Sequence, residues 1–309
     1  MKVLVLRILG RLFPVLSLSA LAAAEPGQYR HPEKVAEVLS GKRDVANVAW
    51  WGFDKEDATD HLRQALASGA KTVIVPNMGS DWVVGPIRLP CDNQEIIFER
   101  GVVVSAKRDG AFYRGTEQLI ALYNRKNVVL RGYGATLKMW KEDYLSDPYQ
   151  SGEHRHALGV HLSENVRILG LTVENSGGDG IYVRSCRNIH VKDVVSDGNR
   201  RQGISVTGVR DPLIEDTIVR NTAGTSPESG IDLEPNHPRN GLVNVVIRNT
   251  TAENNAGRGF IVSLGKLNSE SEPVSIRFEN CTARNNLEGI SVMRLRDNGV
   301  QGLVEFIGT

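Results

Sequence analysis

The phrase Gly180-Ile181-Tyr182-Val183 returns along the chain at intervals of 23 to 30 residues. Its occurrences, with small changes, are ALGV at 157–160, GIYV at 180–183, GISV at 203–206, GIDL at 230–233, GFIV at 259–262 and GISV at 289–292. A second phrase lies between them, as NVRI at 165–168, NIHV at 188–191, VIRN at 246–249 and SIRF at 275–278. Asparagine returns at the bends between these phrases. A repeat of this length is typical of solenoid proteins.

Each repeat consists of short runs of alternating apolar residues separated by glycine and asparagine, without a helical period. Such alternation predicts strands. Parallel strands need a crossover connection, and winding the chain once around each coil supplies one without a helix. An antiparallel sandwich also has short strands, but it does not predict one phrase returning at the same phase. The sequence therefore predicts an all-β fold, a right-handed parallel β-helix.

The N-terminus has the pattern of a secretory signal peptide. Three basic residues in the first eleven precede an apolar run at 12–21, and three alanines follow it. A basic segment, an apolar segment and small residues at a cleavage site form such a signal, and the run is too short to span a bilayer. We therefore expect a signal peptide over 1–24, a single β-helix domain over 25–309, and a secreted or periplasmic protein without a membrane span.

The segment before the repeats has the pattern of a solenoid's beginning. It holds a capped amphipathic helix over 57–66, a strand over 72–76, and then GPIRLP at 85–90 and ERGVVV at 99–104. This series resembles the opening of the pectate-lyase-like superfamily, and the resemblance extends over about 45–309. In that superfamily the helix covers the open N-terminal end of the β-helix. Its members include polygalacturonases and other glycosidases, polysaccharide lyases, alginate epimerases and phage tailspike depolymerases, so the resemblance implies action on polysaccharides.

Candidate functional residues can be identified by numbering the positions within each repeat. If the strand-opening residue is position 0, positions 1 and 3 point into the core and positions 2 and 4 point outward. Position −1 lies in the turn that enters the strand. One outer strip of four consecutive coils then gathers His156, His161, Asp179, Tyr182, Arg184, Arg201, Gln202, Asp232 and Glu234. Acids, bases and hydrogen-bond donors on one strip predict a functional site.

A long polar and aromatic segment at 138–156 interrupts the strand pattern directly before this strip. Long loops in compact folds are often functional, and insertions in solenoids tend to fall on the binding face. We expect this segment to form one wall of a groove, with Tyr144 and His156 near Asp179 and with the solenoid able to fold without it.

Inverting glycoside hydrolysis is the first of two mechanisms that the strip could support. It needs an acid and a base carboxyl roughly 6.5–9.5 Å apart. Asp179 and Asp232, two coils apart, are the candidate acid and base, with Glu234 as a second candidate for the far carboxyl. We therefore predict an exported polysaccharide-active enzyme, an inverting glycoside hydrolase that acts on an acidic or complex glycan. His156 is a further catalytic candidate and is also expected to contact the sugar. The other residues expected to bind substrate are His154, His161, Tyr182, Arg184, Arg201, Gln202 and His237.

The second mechanism is proton abstraction from a uronate, as in a polysaccharide lyase or a C5-epimerase. This chemistry needs a base, an acid and a cation that neutralises the carboxylate. Either His156 or His161 is the candidate base, and Tyr182 is the candidate acid. Arg184 or Arg201 would neutralise the carboxylate. A glycan-binding or structural β-helix without catalysis is a third alternative, because this fold does not determine function.

Charge and ligand chemistry limit the remaining choices. The chain has 37 Lys and Arg against 36 Asp and Glu, a formal charge of +1, which argues against a nucleic-acid partner because such proteins usually carry a basic excess. Calcium binding through Asp179, Asp232 and Glu234 stays open, since carboxylate oxygens suit Ca²⁺. The oligomeric state also stays open. The strand-like phrase at 302–309 has no polar cap, so a partner contact and a further C-terminal part are both alternatives.

Overall fold

A computed structural model describes residues 30–293 and 299–309 of the chain. The described residues form two α-helices, α1 (Pro32–Leu39) and α2 (Thr59–Leu66), and three short 3₁₀ turns (Val48–Trp50, Gly110–Phe112 and Asp143–Leu145). In chain order their strands are β1 (Val45–Asn47), β2 (Thr72–Val75), β3 (Trp82–Val84), β4 (Ile87–Leu89), β5 (Gln94–Phe98), β6 (Val103–Ala106), β7 (Ile120–Tyr123), β8 (Lys126–Lys138), β9 (Leu158–His161), β10 (Glu164–Glu174), β11 (Ile181–Arg184), β12 (Cys186–Lys192), β13 (Val195–Asp197), β14 (Gln202–Val206), β15 (Val209–Arg210), β16 (Leu213–Glu215), β17 (Ile218–Arg220), β18 (Ser229–Leu233), β19 (Leu242–Val243), β20 (Val245–Arg248), β21 (Thr251–Glu253), β22 (Arg258–Ser263), β23 (Val274–Glu279), β24 (Thr282–Arg284), β25 (Glu288–Met293) and β26 (Gly302–Ile307). The predicted signal peptide, 1–24, lies outside the described residues, and the predicted boundaries of a single domain stay a prediction.

The strands of successive coils stack in two hydrogen-bonded sheets. One sheet has eight strands in the order β4-β7-β9-β11-β14-β18-β22-β25, and the other contains the remaining eighteen strands of the described part. Neighbouring strands pair in parallel in both sheets, as between β11 and β14 or β20 and β23. The larger sheet bends, because β8 pairs with β5 along its first half and with β6 along its second half. The prediction of a parallel β-helix with at least six stacked coils is confirmed.

The core runs along the axis of the stack. Ile181, Ile204 and Ile231 occupy the same register position in adjacent strands and are fully buried. Val183, Val206 and Leu233 follow two residues later and are buried as well. Because alternate side chains of a strand point to opposite faces, the returning phrase places one apolar pair per coil inside. The predicted core residues are therefore confirmed.

Helix α2 packs at the N-terminal end of the solenoid, as the superfamily resemblance implied. The Asp57 carboxylate accepts a hydrogen bond from the Thr59 backbone N–H at 3.0 Å, which caps its first turn. Leu62 and Leu66 are buried, and the helix contacts β2 and β4. Helix α1 was not predicted, and it buries only Val38. Neither of these described helices is long and apolar enough to cross a membrane.

Asparagines at the bends form ladders between coils. Asn127, Asn165 and Asn188 have φ angles of 55°, 55° and 50°. The side chain of Asn165 donates to Asn127 Oδ1 at 2.9 Å, and that of Asn188 donates to Asn165 Oδ1 at 2.6 Å. Asparagine tolerates the left-handed region because its short polar side chain bonds locally. The recurrence of asparagine at the bends thus reflects both the backbone angle and the stacking.

We expect Asn188→Ala to lower the free energy of unfolding by about 1–2 kcal/mol, because a Cβ-bearing apolar residue is strained at this φ. Asn188→Gly is the matched control: glycine adopts this angle without strain and loses only the ladder hydrogen bond. Urea unfolding of the two variants measures the difference. Equal destabilisation by alanine and glycine would show that the backbone angle has no part in the effect.

Candidate functional site

The outer face of the eight-stranded sheet brings most of the predicted residues together. At its middle, the outward residues of β9, β11, β14 and β18 align in one row: Gly159, Tyr182, Ser205 and Asp232. His161 pairs with Arg184 two residues further along the strands. Asp179 lies in the turn that enters β11, and Gln202 begins β14. The stacking of coils thus places residues far apart in sequence on one strip.

The residues of this outer strip differ in how far they are buried. Five predicted residues are at most 4% exposed: His156, His161, Asp179, Gln202 and Asp232. Three are half-buried: Tyr182, Arg201 and Glu234. Three are exposed: His154, Arg184 and His237. An outward position on the strand, as for His161 and Asp232, therefore does not make these side chains solvent-exposed, because neighbouring side chains and the 138–156 segment cover the first five residues.

The 138–156 segment packs down onto the solenoid around a buried arginine. Arg155 is fully buried; its Nε donates to the Phe112 carbonyl at 3.0 Å and its Nη2 to the Gln150 carbonyl at 2.9 Å. Its guanidinium lies 4.4 Å from the centre of the Tyr144 ring, a cation–π contact. Sequence reasoning missed this anchor, although an arginine near several tyrosines was a signal for it.

The same segment approaches the strip at Gly178. A Cβ at this position would lie 2.3 Å from the Glu153 carbonyl oxygen, so only glycine permits the contact. Tyr144 packs against the neighbouring Gly177, and Nδ1 of His156 lies 3.0 Å from the Asp179 backbone nitrogen. Both residues therefore lie beside the turn that holds Asp179, as predicted, and the segment covers this turn.

Arg201 links three carboxylates of the strip. Its Nη1 lies 3.6 Å from Asp179 Oδ1, its Nη2 lies 3.6 Å from Glu234 Oε2, and its Nε lies 3.3 Å from Glu153 Oε2. Asp179 and Glu234 thus face different nitrogens of one planar guanidinium. Glu153 comes from the covering segment and is largely exposed. The arginine lies over the buried Asp179 and is itself 19% exposed.

The Asp179 carboxyl holds its proton at neutral pH. Burial raises its pKa from 3.8 to about 8; the Arg201 charge opposes this rise and the Asp232 charge adds to it. Desolvation disfavours the charged form of a carboxyl, and a nearby carboxylate does the same. A protonated carboxyl of this kind is suited to donate a proton to a leaving group.

His156 is neutral and its Nδ1 is already engaged. The Asp179 backbone N–H donates to this nitrogen at 3.0 Å, so the imidazole proton is assigned to Nε2. Burial lowers the pKa of His156 well below its usual value, and the charges of His154, His161 and Arg201 add to the effect. The ring stacks on Tyr182 with centroids 4.6 Å apart. His156 therefore holds the Asp179 turn in place and has no lone pair directed at solvent.

Asp232 is held by a neighbouring amide. Gln202 Nε2 donates to Asp232 Oδ2 at 2.7 Å, and both residues are buried. Because Gln202 and Asp232 lie on the adjacent strands β14 and β18, the bond crosses between coils. The amide contact keeps the Asp232 carboxylate fixed on the strip.

Aromatic rings continue the strip toward the N-terminal end. Tyr123 stacks on His161 at 4.3 Å, and His161 lies 5.4 Å from Tyr182. The Arg88 guanidinium lies 4.4 Å from the Tyr123 ring centre. Burial lowers the pKa of His161 to about 4, so this ring is neutral at physiological pH. Flat rings along one face are suited to pack against the apolar faces of sugar rings.

Several buried polar atoms of this strip have no hydrogen-bond partner among the described residues. They are His156 Nε2, His161 Nδ1, both carboxyl oxygens of Asp179 and Gln202 Oε1. Buried polar groups in folded proteins are nearly always paired. Such a concentration of unpaired atoms is typical of a site built for a ligand rather than for stability.

Metal binding by the carboxylates is not supported by the geometry. In the described part of the chain no group of three His, Cys, Asp or Glu residues is arranged to hold a metal ion. The guanidinium of Arg201 lies between Asp179 and Glu234, and this cation takes the place that Ca²⁺ would need. The open alternative of a calcium site through these residues therefore has no structural basis.

His237 lies away from the buried residues of the strip. It belongs to the exposed loop after β18, where its Nδ1 accepts a hydrogen bond from the Arg239 backbone N–H at 3.1 Å. This contact shapes the loop. The structure thus does not bring His237 into the group around Asp179.

Comparisons with known proteins agree with this architecture. Residues 150–272 match the family model described as "Right handed beta helix region". The chain has the right-handed parallel β-helix fold. The predicted right-handed parallel β-helix is confirmed, whereas no curated protein is similar to the chain in sequence.

Solved structures share this β-helix fold at low identity. A tailspike protein from Acinetobacter baumannii bacteriophage Fri1, described as a capsular polysaccharide depolymerase, has 13% identity and a TM-score of 0.57, over 86% of this chain and 50% of the tailspike. The Dettilon tailspike protein has 11% identity and a TM-score of 0.55, over 82% and 47%. The endo-xylogalacturonan hydrolase of Aspergillus tubingensis has 13% identity and a TM-score of 0.50, over 84% and 71%. The chain thus spans about half the length of these tailspikes.

Proposed function

We propose that the protein is an exported polysaccharide-active enzyme, a glycoside hydrolase that uses Asp179 as its general acid. The observation that carries the proposal is a fully buried carboxyl, whose pKa burial raises to about 8, beside an arginine that also contacts two further carboxylates. Burying a carboxyl without hydrogen-bond partners costs stability, and a cost of this kind is typical of a functional position. Glycoside hydrolysis uses such a proton donor together with a second carboxylate that is ionised.

Exposure favours Glu234 over Asp232 as the second carboxylate. Glu234 is 24% exposed, so water can reach it, whereas Asp232 is buried and bonded to Gln202. Inverting enzymes hold the two carboxyls roughly 6.5–9.5 Å apart, which leaves room for a water molecule. Two carboxylates that each lie 3.6 Å from opposite nitrogens of one guanidinium are compatible with this requirement. In this scheme burial raises the pKa of Asp179 and the Asp232 charge adds to this rise.

Arg201 has to move before a sugar can reach Asp179. The arginine covers this carboxyl, and its contacts to Asp179, Glu153 and Glu234 are long, at 3.3–3.6 Å. Exposed ion pairs contribute little to stability, so the contact with Glu153 is easily exchanged for a contact with substrate. We propose that substrate binding displaces Glu153 from Arg201 and opens the way to Asp179.

Solved structures with the same fold support a polysaccharide as the substrate. Two solved structures with the same fold are described as a capsular polysaccharide depolymerase and an endo-xylogalacturonan hydrolase. Fold likeness alone does not determine activity, so the proposal rests on the Asp179 site and the neighbours add only the kind of polymer.

Release of sugar from a panel of polysaccharides tests the proposal. The mature protein, beginning near Glu25, is incubated with neutral, uronate-containing and sulfated polysaccharides. We expect new reducing ends from at least one polymer, without the ultraviolet absorbance of a new double bond. Absorbance that rises with each cleavage would show a lyase and contradict hydrolysis. Binding of the polymer without any cleavage would support the non-catalytic alternative.

The engaged histidine makes elimination the weaker alternative. A lyase or epimerase needs a base with an accessible lone pair, and Nδ1 of His156 accepts a backbone N–H instead. His161 is buried, and its Nε2 lies 3.0 Å from Gln118 Oε1. Tyr182 contacts Thr207 through its hydroxyl. The geometry therefore favours the carboxyl pair over the histidine–tyrosine pair.

A further inference from the structure

A second cleft lies beyond the end of the eight-stranded sheet. It has a volume of about 320 Å³ and is formed where the chain turns from β11 into β12 and from β14 into β15. Residues 239–241, at the end of the loop that follows Glu234, form its other side. Nothing in the proposed hydrolysis uses this cleft.

The floor of the cleft carries a column of charged side chains. Successive coils stack Lys126 on Glu164, Glu164 on Arg187, and Arg187 on Arg210. The loop adds Arg239. Lys126 pairs with Glu164, and Arg210 pairs with a glutamate outside the column.

Two arginines of the cleft are available to a ligand. Arg187 and Arg239 are both exposed, and neither forms an ion pair with a carboxylate of the described residues. With the remaining cations paired, the cleft carries an excess of about two positive charges. A concave site with uncompensated arginines attracts anions, and a guanidinium binds carboxylate or sulfate oxygens through paired hydrogen bonds.

Contacts of Asn240 hold this loop beside the cleft. Asn240 Nδ2 donates to Ser185 Oγ at 3.4 Å, across the turn that joins β11 to β12. Gly208 has a φ of 145°, and a Cβ there would lie 3.0 Å from the Asn240 side chain. Glycine at this position therefore permits both the turn and the close approach of the loop.

The cleft lies a short distance along the chain from the site strip. Tyr182 on the strip and Arg187 in the cleft are five residues apart on one chain, a path of at most about 17 Å. The exposed Arg184 lies between them. An extended polymer on the strip can thus place a neighbouring unit in the cleft.

We propose that this cleft binds an anionic group, a carboxylate or sulfate, carried by a sugar unit of the polysaccharide, through Arg187 and Arg239. The anion chemistry follows from the cleft itself, and only the identity of the carrier as a polysaccharide rests on the proposed function. The cleft then holds the polymer at a distance from Asp179 and selects for charged glycans.

Titration calorimetry with three probes tests the assignment. Tetragalacturonate, sodium sulfate and neutral cellotetraose are added to the Asp179→Asn protein, in which cleavage is suppressed, at low salt. The same titrations use this protein with Arg187→Gln and Arg239→Gln added, and with Arg167→Gln added as control. Arg167 is an exposed arginine of β10 that lies three residues beyond Glu164 on the same strand and does not line the cleft. Circular dichroism verifies that each variant is folded.

We expect tetragalacturonate to bind about 100-fold more weakly to the double-arginine variant, since each of the two lost charge-assisted bonds is worth about a tenfold change. Its affinity for the Arg167→Gln control should not change. Cellotetraose should not distinguish the variants. Equal tetragalacturonate affinity in all three proteins would overturn the cleft as a site. If sulfate bound as tightly as tetragalacturonate, the assignment of the ligand as a polysaccharide would be wrong, and the cleft would be a site for free anions. Sugar release by the wild-type protein is measured separately, so failure of hydrolysis and failure of the cleft are distinguishable.

Discussion

Asp179→Asn is expected to lower the rate of polysaccharide cleavage by about 10²–10⁴-fold, the usual effect of removing a general acid. Asparagine has nearly the same shape and cannot supply the proton. The turn should survive, because the bond from the Asp179 backbone N–H to His156 does not involve the carboxyl. Rates are measured as reducing ends released per folded molecule from the best polymer of the panel.

The same substitution is expected to stabilise the protein. The pKa of Asp179 is about 8 in the folded state, against 3.8 for an ordinary aspartate. Between these values the folded protein keeps a proton that the unfolded chain releases, so the stability of the wild type falls as pH rises through this window. The amide that replaces the carboxyl does not titrate. The variant should therefore gain about 1–3 kcal/mol at pH 7, and the gain should vanish near pH 4.

Asp211→Asn is the matched control for both effects. Asp211 is an exposed turn residue that accepts a hydrogen bond from Asn244 Nδ2, a bond that asparagine preserves. Neither rate nor stability should change. Wild-type turnover in Asp179→Asn would show that the carboxyl is not the acid. A loss of stability at pH 7 would show that Asp179 has a structural role instead.

The pH dependence of the cleavage rate tests the role of the Asp179 carboxyl independently. A general acid works only while protonated, so the rate should fall on the alkaline side with an apparent pKa near 8. The measurement is the dependence of kcat/KM on pH between 5 and about 10, a range that covers this pKa. An alkaline limb that is absent up to the upper end of this range would exclude Asp179 as the proton donor.

Arg155→Ala is expected to have the second large effect, a loss of stability. The substitution removes a fully buried side chain and leaves the carbonyl oxygens of Phe112 and Gln150 without their donors. The Tyr144 ring, itself buried, also loses its contact with the guanidinium. An unsatisfied buried acceptor costs about 1–3 kcal/mol and the cavity adds to this. We expect a total loss of about 3–5 kcal/mol in the free energy of unfolding, measured by urea denaturation.

Arg167→Ala, an exposed arginine on the other sheet, is the control and should change stability by less than about 0.5 kcal/mol. A similarly small effect of Arg155→Ala would show that the 138–156 segment does not depend on its anchor.

The burial of Tyr144 and Arg155 also changes the expectation that the solenoid folds without this segment. Its removal would uncover apolar surface of the coils, so a deletion does not test glycan binding cleanly.

The returning phrase was sufficient to predict the coils and their core. Ile181, Ile204 and Ile231 could be assigned to the inside because strand alternation is a local property and the repeat supplies the register. The spacing of the repeat also predicted that Asp179, Arg201 and Asp232 lie on one strip. Such periodic information is present in the chain itself.

What covers the strip was decided only by tertiary structure. Whether an outward residue meets water depends on side chains from other coils and on how the 138–156 segment folds back, and neither is periodic. Arg201 and Glu153 reach Asp179 from other parts of the chain, and their approach turns a predicted surface carboxylate into a buried acid with a pKa of about 8. Desolvation is a property of the whole environment of a group rather than of its sequence position. The repeat therefore determined where the carboxyls lie, and long-range packing determined their protonation.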